Sequence, residues 1–89
     1  MNERDITELR STVERIHGCP ASYRTSEEVR DQGRQIEVAI FDILGHPRAM
    51  LCYAWLTGGS GSRRTVTVLR EGLVRTSLDA VRFALEMGE

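Results

Sequence analysis

The stretch Gln35-Ile36-Glu37-Val38-Ala39-Ile40-Phe41-Asp42-Ile43-Leu44 decides how the rest of the chain is read. Ile36, Val38 and Ile40 fall on one parity and Ala39, Phe41 and Ile43 on the other. Alternation of this kind marks a strand, because successive side chains of an extended backbone point to opposite sides. Both parities are apolar, which leaves two sheet faces to account for.

Moving forward from this strand, Gly45-His46-Pro47 reads as a turn and Ala49–Thr57 as a second strand. Leu51, Tyr53 and Trp55 lie on one parity there, opposed by Met50, Cys52, Ala54 and Leu56. Gly58-Gly59-Ser60-Gly61-Ser62 is a loop tip, and Arg63–Arg70 alternates through β-branched residues as a third strand. A tight turn at Gly45-His46 would set Ile40 opposite Leu51 and Val38 opposite Tyr53. Closing the glycine loop with Thr57 opposite Arg64 sets Trp55 against Val66 and Tyr53 against Val68.

Moving backward, residues 19–34 admit two readings. Thr25 with Glu28 fits a capping box, with Gly33 closing a short helix. The alternative is a polar strand near Ser22–Val29 that turns through Asp31-Gln32-Gly33-Arg34. Tyr23 and Val29 are the only large apolar anchors of the segment, too few to pin a helix to a core, so the strand is preferred. A charged strand suits a sheet edge, where charge discourages pairing with another chain.

Helices bound the chain. Ile6, Leu9, Val13 and Ile16 recur at helical spacing, Asn2 is placed to cap, and Gly18 followed by Pro20 ends the run. Thr76 with Asp79 resembles a capping box, Leu78, Val81 and Leu85 form a stripe, and Gly88 stands at the end. The expectation is a single α+β domain over 1–89: an N-terminal helix, a three- or four-stranded antiparallel meander, and a C-terminal helix packed on the sheet. This order resembles the layout of the double-stranded RNA-binding domain. That family's basic cluster opening the last helix would fall near Thr76–Ala80. Here the sequence has Arg75-Thr76-Ser77-Leu78-Asp79, one cation and one acid, so no binding residues are carried over.

One predicted face gathers Ile36, Val38, Ile40, Leu51, Tyr53, Trp55, Val66 and Val68, which is a core. The other holds Glu37, Ala39, Phe41, Ile43, Met50, Cys52, Ala54, Leu56, Thr65 and Thr67. Left bare, that second face would be an interface, since large exposed apolar patches mark docking surfaces. Phe41, Met50, Cys52 and Leu56 are its candidate contact residues, for a protein partner or a second copy. If instead the two helices divide, one to each face, nothing is left bare.

Composition narrows the functional classes. The chain carries 12 basic and 13 acidic residues. That balance disfavours a dedicated nucleic-acid binder, whose affinity needs clustered cations. Every basic residue is arginine, a bias typical of a GC-rich, bacterial-like coding sequence. No apolar run approaches the roughly 18–20 residues that cross a bilayer, and Met1-Asn2-Glu3-Arg4-Asp5 opens no signal-like segment. A cytoplasmic location is the resulting expectation.

Chemistry-bearing residues are sparse. His46 and Cys52 could be imagined as base and nucleophile, but no third group orients them. His17-Gly18-Cys19 offers two ligand types where a metal needs three or four. The glycine loop lies between strands, whereas phosphate-cradling loops lead into a helix. Glu27 and Glu28 are neighbours in a polar segment. Tyr53 and Trp55 could stack bases but fall on the core parity. Arg63, Arg64 and Arg70 form the remaining candidate, for a phosphate or carboxylate. No catalytic residue, cofactor or metal is expected. The reading is a non-enzymatic interaction module that self-associates or binds a partner through its sheet, with weak nucleic-acid or anion binding as the alternative.

Overall fold

The computed structural model describes residues 1–58 and 63–87; residues 59–62 of the expected glycine loop, and Gly88, expected at the end of the last helix, lie outside the described residues. The elements are α1 (Glu3–His17), β1 (Ala21–Asp31), β2 (Arg34–Ile43), β3 (Leu51–Thr57), β4 (Arg64–Leu69) and α2 (Ser77–Glu86). The strands form one antiparallel sheet in the order β1-β2-β3-β4, so each pairs with its neighbour in sequence.

Local chemistry sets the boundaries. The Asn2 side chain accepts a bond from the Asp5 amide at 2.8 Å, and Gly18 closes α1 in the left-handed region, φ 68°. Thr76 Oγ1 likewise accepts from the Asp79 amide at 3.1 Å to open α2. Residues 21–31 are a strand; Thr25 lies in its ladder opposite Ile40 instead of capping a helix. Gln32 and Gly33, at φ 51° and 76°, supply the paired positive φ of a type I′ hairpin turn. β1 lies at the edge, carries Arg24, Glu27, Glu28 and Arg30, and is interrupted by a bulge between Tyr23 and Thr25.

The β3–β4 register is the one anticipated, with Trp55 opposite Val66 and Tyr53 opposite Val68. Between β2 and β3 it is offset: Ile40 faces Tyr53, not Leu51. The cause is a wider turn. Ile43 N donates to Met50 O at 3.0 Å, so Leu44–Met50 form the connection and β3 begins at Leu51 rather than Ala49. The offset is even, so no side chain changes face.

The helices divide between the faces. α2 brings Ala80, Val81 and Ala84 onto Val38, Ile40, Tyr53, Trp55, Val66 and Val68. α1 brings Leu9 and Val13 onto Ala39, Phe41, Ile43, Cys52 and Ala54. Covering both sides is what two apolar parities require, since apolar surface left in water costs about 25 cal/mol per Å². Of the two arrangements left open, the divided one holds, a helix–sheet–helix sandwich.

Candidate functional site

The division of the helices bears first on the proposed contact surface. Phe41 and Cys52 are fully enclosed beneath α1, and Leu56 is partly buried against the same cluster. Met50 stands 81% exposed in the β2–β3 connection. These four side chains do not form one open surface; the face that carries them is the seat of α1.

Nor does the structure assemble a nucleophile. His46 Nδ1 accepts the Arg48 amide at 3.1 Å, capping its own turn, and its ring meets that of His17 edge-on at 6.2 Å. Cys52 sits among Leu9, Val13 and Ala54, and burial pushes its thiol up to about 12. A thiol so raised holds almost no thiolate at neutral pH. Titration with a disulfide reagent should therefore count one reactive thiol, Cys19, in the native protein and two in denaturant. Two fast thiols in the native state would contradict the burial of Cys52.

His17, His46, Arg48 and Glu71 meet at one end of the sheet. His17 Nε2 lies 3.0 Å from Thr67 Oγ1, tying the end of α1 to β4. Burial, then the charges of His46 and Arg48, hold the His17 imidazole below its ordinary value near 6.5, with Glu71 opposing. Glu71 Oε2 is enclosed without a hydrogen bond, and Arg48 Nε lies 3.7 Å away as its ion-pair partner. Because the fold favours neutral His17, the unfolded chain takes up a proton first as pH falls below about 6.5. Stability is full above that pH and drops as the pH falls through the lower native value. Urea midpoints should accordingly decline from pH 7.5 to 5.5, and His17→Gln should flatten that slope. An unchanged slope in the variant would remove His17 as its origin. Among the described residues no three His, Cys, Asp or Glu side chains are grouped to hold a metal ion. Also among them, no helix is long and apolar enough to cross a membrane.

The three arginines separate. Arg63 reaches back to α1, 2.7 Å from Asp5 Oδ1 and 3.6 Å from Glu8 Oε2, and its charge is answered there. Arg64 opens β4 opposite Thr57, on the parity of Val66 and α2. Arg70 lies past the other end of β4, its Nε donating to Arg75 O at 3.3 Å. A strand of about 3.3 Å per residue separates Arg64 from Arg70 by roughly 20 Å.

The main concavity lies where the sheet comes apart. The β2–β3 ladder ends at Ala39–Ala54, although β2 runs back to Arg34 and β3 on to Thr57. β2 stays with β1 and β3 with β4, so the two hairpins diverge. Between them is a cavity of about 560 Å³. Ile36 forms one wall, Trp55 and Leu56 the other, Val81, Ala84 and Leu85 of α2 the floor, and Arg34 the rim. The Ile43–Met50 bond fixes odd-numbered residues of β2 and even-numbered residues of β3 as those facing each other's main chain. By that alternation the peptide groups of Gln35, Glu37 and Leu56 face the opening with no ladder partner across it. The volume is in the range of small-ligand and peptide pockets, roughly 300–1,000 Å³. Nothing in the sequence marked this place, because the strands alternate normally through it.

The chain matches no protein-family profile, no curated protein and no solved structure.

Proposed function

We propose that the protein is a non-enzymatic interaction module that self-associates through its sheet, β4 of one copy pairing antiparallel with β4 of another. With both faces covered by helices, the sheet offers association only along its edges. The contrast between those edges is the observation that carries the reading. β1 is bulged and charged along its length, the usual protection of an exposed edge. β4 runs Arg64-Thr65-Val66-Thr67-Val68-Leu69, with no proline, no bulge and no charge between its first residue and Arg70.

Arg70 N donates to Leu51 O at 3.0 Å, so the even-numbered residues of β4 face β3. Thr65 and Thr67 therefore turn their peptide groups outward, where a second copy can pair with them. The alternative, nucleic-acid or anion binding by Arg63, Arg64 and Arg70, has less support because the three do not converge.

Proline separates edge pairing from fold stability. Thr65→Pro and Thr67→Pro each remove an outward N–H and leave the β3–β4 ladder its own donors; Thr67→Pro also gives up the His17 contact, which Thr67→Val loses with the N–H kept. Light scattering over a tenfold concentration range should give a dimer for the native chain and a monomer for both proline variants, with unchanged circular dichroism. A native chain that stays monomeric throughout would sink the proposal.

A further inference from the structure

We infer that the opening between β2 and β3 is a binding site for the C-terminal end of an extended peptide, with an apolar last residue and a free carboxylate. Three independent features of the opening converge on that chemistry. The first is the main chain: Gln35 and Glu37 on one wall and Leu56 on the other present peptide groups left over from an interrupted ladder. Donors and acceptors alternating at strand spacing are matched by another extended backbone, which is how strand addition binds. The second is the interior, where Ile36, Trp55 and Leu85 offer an apolar pocket for one side chain.

The third is charge. Arg34 stands at the rim on β2. It forms no salt bridge among the described residues, whereas the nearby Asp31 is already paired with Arg82 at 3.3 Å. An unanswered guanidinium at the rim of an apolar slot favours a carboxylate, which an arginine can hold through two parallel hydrogen bonds. A simple fatty acid would use the slot and the arginine but leave the peptide groups unmatched. An internal peptide segment would use the peptide groups and the slot but leave the arginine unanswered. A peptide C-terminus uses all three. The site is separate from the β4 edge, and neither depends on the other.

Trp55 is the only tryptophan and lines the opening, so its emission reports occupancy directly. The probe is an acetylated tetrapeptide of alternating threonine and valine ending in leucine, as the free acid. Titration into the full chain should shift Trp55 emission saturably. The C-terminal amide of the same peptide should bind at least tenfold more weakly. Arg34→Gln, a change of an exposed side chain, should weaken the acid several-fold and leave the amide unchanged. In amide-exchange measurements the bound acid should protect Gln35, Glu37 and Leu56. The Thr67→Pro variant should bind as the native chain does, whatever its association state.

Equal affinity for acid and amide would overturn the carboxylate assignment. Decanoate binding as tightly as the peptide, without protection of those amides, would overturn the strand assignment in favour of a small-acid site. No saturable change in emission and no protection would remove the site altogether.

Discussion

Phe41→Ala is expected to lower the free energy of unfolding by about 3–5 kcal/mol, the usual cost of emptying an enclosed aromatic site. Phe41 is fully enclosed in the cluster that seats Leu9 and Val13 of α1. Its ring also meets that of Tyr23 edge-on, with centroids 5.9 Å apart. Neither the strand backbone nor the helix can collapse far into the gap, because both are held by their own hydrogen bonds. A small domain has only about 5–15 kcal/mol to lose, so the variant should show a large fall in its urea midpoint. The same substitution on a surface used only for docking would leave the monomer's midpoint unchanged. That outcome would mean α1 does not cover Phe41.

Val81→Asp should be still more disruptive, through the opposite face. Val81 is 1% exposed, packed by α2 onto the cluster that contains Trp55 and Val66. A carboxylate placed there must either lose its hydration or drag α2 off the sheet, and losses above about 4 kcal/mol follow from such burial. Trp55 emission and far-ultraviolet circular dichroism should both report an unfolded or loosened chain at neutral pH. Partial recovery at acid pH, where the introduced carboxyl is neutral, would identify desolvation as the cause. A variant as stable as the native chain would contradict the packing of α2.

Much of this architecture was legible in the residues. Alternation in 35–44 and 49–57 located the two central strands, and the Asn2 and Thr76 caps located the helix starts. The pairing of Trp55 with Val66 followed from closing the glycine loop symmetrically. Other features were less legible, each for a physical reason. β1 carries little apolar signal because an edge strand buries few of its side chains; Val29 is the one it buries well. The β2–β3 turn was read as tight because Gly45-His46 suggests a short loop. Its actual length depends on the Ile43–Met50 bond, a contact no local pattern encodes.

The distribution of the helices was open because two apolar parities are compatible with a bare face or a covered one. Coverage is decided by which way each connection leads the chain, not by the stripe on either helix. The candidate site was illegible for a related reason. Gln35, Ile36, Trp55 and Leu56 look like ordinary strand residues, and only the divergence of the two hairpins turns them into the walls of a cavity. Arg63, conspicuous beside the glycine loop, proved to be neutralised by Asp5 and Glu8 from an element far off in sequence.

The neighbour-to-neighbour order of the strands also has a kinetic consequence. Each hairpin can form by closing a short loop, and no strand waits for a distant segment before it can pair. Chains dominated by such local contacts cross a smaller entropic barrier and reach the native state faster than sheets built by long crossovers. Among the described residues, the contacts of α1 and α2 join those farthest apart in sequence, as in Arg63 to Asp5 and Ser77 to Glu27. The sheet can therefore assemble hairpin by hairpin, with the helices closing over it from opposite sides.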